Sequence, residues 1–340
     1  MRFLSPGKLL LALAALVAAT AAVLAIVPDR DVYLYLPDEP HLVEPLVTVE
    51  GGQPVDDEGG LYFVDVIVRQ PSLLEGLAPG LFHDGASVVP AHAVNPTGLS
   101  ERARRQASLR VMTRSQEIAA AVALEAAGED VLLRTDGAFV AQVLPGTPAA
   151  GLLHPADVIV QVDSEPVDTL DQLRELLGAR SPGDEVSLVV RRGKEERRFR
   201  LRLAADPNDA GRAFIGVGVE QSVEVRLPVD VEIDTGNVGG PSAGLAFALG
   251  ILEELGRDID GGRRIAVTGA LAPDGAVQSV GGLKQKTIGA REAGVDVFVV
   301  PAGDNAEEAR RYADGMRIVA VQSFQQALRA LATLGRNSQD

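Results

Sequence analysis

The chain opens with a long apolar run. Leu9–Val27 contains no charged residue, Arg2 and Lys8 precede it, and Pro28-Asp29-Arg30 ends it. A helix of this length rises about 28 Å, close to the thickness of a bilayer's hydrocarbon core. The run therefore predicts a retained single-pass anchor in the cytoplasmic membrane, with residues 1–8 in the cytoplasm and the catalytic part outside. A cleaved signal peptide, whose apolar region is normally shorter, is the alternative.

Beyond this run the pattern breaks into shorter segments. The pattern predicts extended chain over Tyr33–Val49 and a strand over Leu61–Arg69. It predicts a loop region over 70–100 and a helix over 101–127. Within the helix, Thr113 or Ser115 is a candidate N-cap. The polar stretch 205–212 predicts a domain boundary.

Residues 136–204 follow the order strand, short helix, strand, helix, strand, strand. The predicted elements are a strand over Gly137–Val143, a short helix within 145–152, a strand over Asp157–Val162, a helix over Leu170–Leu177, and strands over Val186–Arg191 and Arg197–Leu203. Thr169 is a typical cap for the second helix, whose leucines form one apolar face.

This order resembles a bacterial PDZ domain. The residues that carry the resemblance are Gly137-Ala138-Phe139-Val140, the turn from Pro145 to Leu152, Asp157-Val158-Ile159 and Ser181-Pro182-Gly183-Asp184. The resemblance implies a small β-barrel-like sandwich with two helices, whose groove takes an extended peptide by strand addition. The usual carboxylate-binding loop does not precede Gly137, and Phe214, Ile215, Gly216 and Val217 could supply it. A PDZ-shaped spacer with an unused groove is the alternative.

Composition narrows the chemistry. The 340-residue chain is 46% apolar and 23% charged, which suits two globular domains of about 150 residues each. Its net charge of −15 makes nucleic acid a poor partner. The lack of cysteine excludes a thiol nucleophile and cysteine-ligated metals. The four histidines (His41, His83, His92 and His154) show no metal-ligand spacing, so neither a metal nor a histidine base is expected.

Three glycine-containing segments stand out in residues 213–334. Gly239-Gly240-Pro241-Ser242-Ala243-Gly244 precedes an apolar run, Thr268-Gly269 follows a predicted strand, and Gly281-Gly282-Leu283-Lys284-Gln285-Lys286 opens a predicted helix. Each has an ordinary structural explanation. Ser242 could be a helix cap, Thr268-Gly269 a turn, and the two lysines a solvated pair.

Helical spacing separates the two lysines. The residues that recur with Lys286 at steps of three and four are Leu283, Ala290 and Ala293, whereas Lys284 lies about 200° away. Lys286 is therefore expected among small apolar neighbours, where burial lowers a lysine pKa. A neutral lysine can act as the base for a serine hydroxyl, and Ser242 at a helix N-terminus suits the nucleophile.

These motifs, followed by Val297-Phe298-Val299-Val300-Pro301, resemble the proteolytic domain of Lon-type serine proteases over about 120 residues. The resemblance implies that Ser242 is the nucleophile and Lys286 the base. It also implies that Thr268 orients the amine, that Gly240 and Ala243 support the site, and that no cofactor takes part. Lon proteases have acidic residues near two of these motifs, where this chain has Asn237-Val238-Gly239-Gly240 and Ala270.

The whole chain resembles the membrane-anchored, PDZ-containing Lon-like proteases of bacteria, which implies an α+β protein with an N-terminal transmembrane helix. In this interpretation residues 28–135 pack on a proteolytic domain at 213–334, the PDZ module at 136–204 is inserted into it, and 335–340 form a tail. The sequence has no GxxxxGK[ST] phosphate loop, so no ATP site is expected.

The predicted function is ATP-independent serine endopeptidase activity on unfolded or flexible protein substrates recognised by the PDZ module. The resemblance also implies a ring-shaped homo-oligomer. Two alternatives stay open. One is a non-catalytic PDZ adaptor on a protease-like scaffold, and the other is a different Ser/Lys hydrolase of the amidase or signal-peptidase type.

Overall fold

The structure is a computed structural model, and it describes residues 6–52, 59–95, 98–207 and 209–336. Its α-helices are α1 (Pro6–Ile26), α2 (Leu73–Leu77), α3 (Ala91–Val94), α4 (Glu101–Ala127), α5 (Leu170–Gly178), α6 (Gly244–Glu254), α7 (Leu283–Glu292), α8 (Asp304–Tyr312) and α9 (Phe324–Arg336). Its strands are β1 (Val32–Pro37), β2 (His41–Leu42), β3 (Val47–Val49), β4 (Gly60–Phe63), β5 (Val66–Arg69), β6 (Ser87–Pro90), β7 (Leu132–Val143), β8 (Asp157–Val162), β9 (Glu165–Pro166), β10 (Glu185–Arg192), β11 (Glu195–Arg202), β12 (Ala204–Asp206), β13 (Asp209–Phe214), β14 (Val217–Arg226), β15 (Val231–Ile233), β16 (Arg264–Val267), β17 (Ala270–Leu271), β18 (Val277–Gln278), β19 (Val297–Pro301) and β20 (Arg317–Val321).

One core is built on the sheet β2-β4-β16-β19-β20, in which β4, β16, β19 and β20 run parallel. A parallel sheet is covered on both faces, so its strands are continuous apolar runs, and β19 is buried at every position. Ile265 and Val267 pack with α4, α6 and α9 on one face. Ala266 and Phe298 pack with α7 and α8 on the other. The mixed α+β architecture predicted from the sequence is thus confirmed.

Leu61–Arg69, predicted as one strand, forms two strands in different sheets. β4 joins the parallel sheet, whereas β5 pairs with β1 in the three-stranded sheet β5-β1-β6. The chain changes sheet at Val64, which is buried in the core beside α7, and at Asp65, which lines a cavity. The region 70–100 was predicted as loop but also contains α2, α3 and β6. Elements of four or five residues are too short to show a period.

Helix α4 has the bounds predicted from the sequence, but its N-cap is a different residue. Ser100 is the N-cap, so the prediction of Thr113 or Ser115 was wrong. Thr113 and Ser115 both lie well inside the helix, where the backbone N–H groups bond within the helix and need no cap. Ser115 is instead buried within the helix, and its Oγ donates to Pro241 O at 3.1 Å.

The second core is the antiparallel sheet β11-β10-β8-β7-β14 with α5 packed beside it. The four strands predicted in residues 136–204 are confirmed as β7, β8, β10 and β11, and Thr169 caps α5 in a capping box with Gln172. The short helix predicted within 145–152 is a series of turns. The backbone of these turns hydrogen-bonds to a neighbouring loop, because Ala149 N donates to Ile215 O at 2.9 Å. This N–H therefore has a partner without the hydrogen bonds of a helix.

The predicted boundary at 205–212 coincides with two short strands, β12 and β13, on either side of residue 208. β12 pairs with β13, and the chain continues directly into β14, which adds to the sheet beside β7. The sheet containing β7 therefore draws its edge strand from residues beyond 204.

The apolar run at the start of the chain lies in α1, which extends from Pro6 to Ile26. Across the four described ranges, no helix is both long and apolar enough to cross a membrane. The predicted transmembrane anchor and single-pass membrane location are therefore wrong. Residues 1–5 and 337–340, parts of the predicted cytoplasmic segment and tail, lie outside the described residues.

Candidate active site

Ser242 lies on the loop that leads into α6, and helix α4 fixes this loop at two points. Gly240 N donates to Ser108 O at 3.1 Å, and the Ser115 hydroxyl donates to Pro241 O at 3.1 Å. Gly240 has a φ of 95°, a conformation that favours glycine. The N-cap position of α6 is taken by the next residue, so Ser242 is not an ordinary helix cap.

Lys286 reaches the same point from the opposite face of the parallel sheet. Its Nζ lies 2.7 Å from Ser242 Oγ and 3.0 Å from Thr268 Oγ1. Thr268 directly follows β16, and its hydroxyl and Gly269 N both donate to Ser242 O, at 3.2 and 2.8 Å. α6 and α7 cover opposite faces, so their N-terminal residues meet at the carboxyl end of the strands, a usual ligand position in parallel sheets.

The environment of Lys286 suits a neutral amine. The side chain is 3% exposed, and its neighbours on the helix face, Leu283 and Ala290, are fully buried. Burial lowers the pKa of Lys286 to about 8, while the charge of Asp65 acts in the opposite direction. Because the Thr268 hydroxyl donates to Ser242 O, its lone pairs face the amine and accept one N–H.

Lys284 has a different environment. It is half-buried, and its Nζ donates to Ala86 O at 3.1 Å and to Ser87 Oγ at 3.2 Å, which ties α7 to the start of β6. The two lysines are therefore not a solvated pair. Lys284 holds a neighbouring segment, whereas Lys286 lies inside the site.

The start of α6 offers backbone donors beside Ser242. The first N–H groups of a helix have no partner within the helix. Among the described residues, the N–H groups of Ser242 and Ala243 donate to no backbone oxygen. Ala243 is 2% exposed, so water competes little for this donor. Such donors, together with the helix dipole, stabilise a developing oxyanion.

Ser242 and Lys286 line a cavity of about 680 Å³, with Asp65 on its wall. The pKa of Asp65 is raised by burial and by the nearby Asp38, and His41 Nε2 lies 3.3 Å from Asp65 Oδ1. Asp65 was missed as a site residue. A single acidic residue inside an apolar strand pattern was the signal that could have identified it.

The predicted peptide-binding residues Phe214, Ile215, Gly216 and Val217 lie apart from this cavity. They join β13 to β14, and a Cβ on Gly216, whose φ is 85°, would lie only 2.1 Å from the side chain of Thr147. Within the described part of the chain, β14 pairs with β7 on one side and with no strand on the other. Helix α5 also packs beside β14.

Two family models match the chain. Residues 216–333 match the Lon protease (S16) C-terminal proteolytic domain, and residues 91–203 match a PDZ domain. These matches confirm a PDZ domain together with a Lon-type proteolytic domain. The chain therefore carries the catalytic domain of a serine peptidase.

Lon protease 2 of Bacillus subtilis (strain 168) is 31% identical over 110 residues, which covers 32% of this chain and 18% of that protein. The Lon protease of Clostridium beijerinckii is 33% identical over 112 residues, covering 32% of this chain and 14% of the relative. The chain thus spans less than a fifth of the length of these relatives. Among solved structures, the PDZ domain of the SdrC-like protein from Listeria monocytogenes is 25% identical, with a TM-score of 0.23, over 25% of this chain and 87% of that one.

Proposed function

We propose that this chain is a serine endopeptidase that works without ATP, with Ser242 as nucleophile and Lys286 as general base. The observation that carries the proposal is the 2.7 Å distance between Lys286 Nζ and Ser242 Oγ at a buried amine. With a pKa of about 8, a useful fraction of the amine is neutral near neutral pH.

The proposed reaction proceeds through an acyl-enzyme. Neutral Lys286 takes the hydroxyl proton of Ser242 while Oγ attacks the carbonyl carbon of the scissile bond. The ammonium then gives this proton to the leaving amine, the C–N bond breaks, and an ester remains on Ser242. A water molecule deprotonated by the same amine hydrolyses the ester and restores the hydroxyl.

The surrounding residues have supporting roles in this proposal. Thr268 accepts one N–H of Lys286, which leaves the amine lone pair directed at Ser242. Gly240 permits the backbone turn that presents Ser242, and the Ala243 N–H contributes to oxyanion stabilisation. A contact supports the role of Thr268, a dihedral angle that of Gly240, and burial that of Ala243.

We further propose that the substrates are unfolded or flexible protein segments. The open edge of β14, entered through Phe214–Val217, suits an extended peptide added as a strand. The sequence contains no GxxxxGK[ST] motif, so the proposed activity does not include ATP-driven unfolding. Self-association into a ring stays a prediction, which sedimentation velocity of the purified chain would check.

The direct test compares three variants on casein, an unfolded protein substrate, in the absence of ATP. We expect Ser242→Ala and Lys286→Ala to lower kcat by about 10⁴-fold or more, because removal of either half of a nucleophile–base pair abolishes the covalent route. Lys284→Ala is the matched control on the same helix, and it should keep activity within about threefold, since Lys284 lies outside the cavity.

A serine-reactive fluorophosphonate distinguishes an enzyme from a non-catalytic adaptor. The wild-type chain should be labelled and Ser242→Ala should not. Casein cleavage that persists in purified Ser242→Ala would contradict the assignment of the nucleophile. An unlabelled and inactive wild type would favour the adaptor.

A further inference from the structure

Three carboxylates meet near the end of α6 that is remote from Ser242. Glu253 lies in the last turn of the helix, Asp260 lies in the loop that follows it, and Glu44 lies in a short 3₁₀ helix before β3. One side-chain oxygen from each residue lies within 4.8 Å of those of the other two. Ser242 precedes α6, which rises about 16 Å along its axis, so this carboxylate cluster is separate from the cavity of the active site.

The backbone holds each of these carboxylates by one oxygen. Glu44 Oε1 accepts a hydrogen bond from Leu61 N at 2.6 Å. Glu253 Oε1 accepts one from Asp260 N at 3.1 Å, and Asp260 Oδ1 accepts one from Gly262 N at 2.8 Å. These bonds fix the three side chains relative to one another, so the carboxylate cluster is formed by the fold itself.

The second oxygens of two of these carboxylates have no donor. Glu44 Oε2 and Glu253 Oε2 are buried, and neither has a hydrogen-bond partner within the described part of the chain. Glu253 as a whole is only 6% exposed. Burial, together with the charges of Asp260 and Glu44, raises the pKa of Glu253 to about 9. A buried carboxylate oxygen without a partner is costly, so the cluster lacks a positively charged ligand.

The end of α6 adds to the negative charge at this place. The carboxyl end of a helix carries roughly half a negative elementary charge, which basic residues in the last turn usually offset. The last turn of α6, which the structure describes in full, contains Glu253 and Glu254 and no basic residue. A bound cation would offset both the carboxylates and the helix dipole.

We propose that Glu44, Glu253 and Asp260 bind one Ca²⁺ ion, which stabilises the catalytic core and takes no part in the reaction. Ligands that are all oxygens suit hard cations. Ca²⁺–oxygen distances of about 2.4 Å place ligands on opposite sides of the ion about 4.8 Å apart, whereas Mg²⁺ at about 2.1 Å needs a tighter set. Because the site contains neither cysteine nor histidine and Glu44 lies far from the other two ligands in the sequence, no spacing motif marks it.

The test titrates CaCl₂ into the full chain, freed of metal with EDTA and desalted, by isothermal titration calorimetry, and follows thermal unfolding at matched ionic strength. We expect a Kd of about 10⁻⁴ M and a rise in Tm of about 5 °C at about 2 mM CaCl₂. Glu253→Gln, which keeps the shape and removes the charge, should weaken Ca²⁺ binding about tenfold or more and abolish the rise in Tm. Glu292→Gln is the matched control and should behave as wild type, since Glu292 also ends a helix but is exposed and lies outside the carboxylate cluster.

Glu44→Gln is the second variant if Glu253→Gln fails to fold, because its amide oxygen can still accept the Leu61 N–H. It should lose Ca²⁺ binding as well. A wild-type chain that binds no Ca²⁺ would overturn the inference and leave a proton shared between Glu44 and Glu253 as the explanation of the cluster. Ca²⁺ binding that is unchanged in the glutamine variants would also overturn it, since the ion would then bind elsewhere. Neither measurement uses cleavage, so this test stands apart from that of the proposed function.

Discussion

The two cores of this chain place their functional features in different ways. In the catalytic core, Ser242, Thr268 and Lys286 come from separate segments and meet at the end of a parallel sheet. The side-chain oxygens of Ser242 and Thr268 lie 2.7 and 3.0 Å from Lys286 Nζ. In the PDZ core, the proposed recognition feature is the backbone edge of β14. Catalysis depends on single buried side-chain atoms, so one substitution should abolish it. Peptide binding to a strand edge depends on many backbone groups, so single substitutions should weaken it only in part.

The largest expected effect concerns the stability cost of the buried amine. The pKa of Lys286 is about 8 in the folded chain, whereas an unburied lysine such as that of the unfolded chain has a pKa of 10.5. Burying the ammonium therefore costs about 3 kcal/mol at pH 7. Lys286→Met should therefore raise the free energy of unfolding by up to about 3 kcal/mol at pH 7. Urea unfolding measures this change.

The stability gained by Lys286→Met should be largest below pH 8 and should shrink as the pH rises. Below pH 8 both folded and unfolded wild type bind the proton, and the full cost is present. Between pH 8 and 10.5 only the unfolded chain binds it, so wild-type stability rises and the advantage of the variant shrinks. Lys284→Met, which loses two hydrogen bonds, should destabilise instead. A Lys286→Met advantage that stays constant up to pH 11 would contradict a buried ammonium.

The next effect is the pH dependence of catalysis. With a pKa of about 8, the neutral fraction of Lys286 rises from about 1% at pH 6 to about 50% at pH 8. The value of kcat/KM for a peptide substrate should therefore increase about fifty-fold over this range. A profile that is flat over this range would argue against Lys286 as the base.

Replacing the threonine beside the amine should have a smaller effect. Thr268→Val removes the hydroxyl that contacts both Lys286 Nζ and Ser242 O but keeps the volume. We expect kcat to fall about tenfold, because the amine loses a positioning partner and keeps its burial. Thr268→Ser should restore most of the rate. An equal fall of kcat in Thr268→Val and Thr268→Ser would show that Thr268 acts only through its packing.

The smallest effect belongs to the PDZ edge. Gly216→Val forces a side chain at a φ of 85° against Thr147 and should distort the entrance to β14. We expect casein cleavage to fall severalfold while cleavage of a short peptide is kept. Gly211→Val in the same hairpin is the control, since its nearest neighbour lies 3.4 Å from the added Cβ. A parallel loss on both substrates would show that the groove plays no part in recognition.

Sequence patterns identified the local features of the site. Helical periodicity separated Lys286 from Lys284, and glycine turns marked the starts of α6 and α7. They did not identify Asp65 or Ser115, whose importance depends on contacts across the fold. Ser115 and Pro241, which are joined by a hydrogen bond, are 126 positions apart in the sequence. The change of sheet after β4 was also hidden, since β4 and β5 both consist mainly of apolar residues and only Asp65 interrupts the run between them.

The central claim is that Lys286 is neutral often enough to deprotonate Ser242. The most direct measurement is an NMR titration of the full chain with ¹³Cε-labelled lysine, with Lys286 assigned by comparison with Lys286→Met. The account predicts that this amine titrates with a midpoint of about 8, well below the ordinary lysine value of 10.5. A midpoint near 10.5 would contradict it.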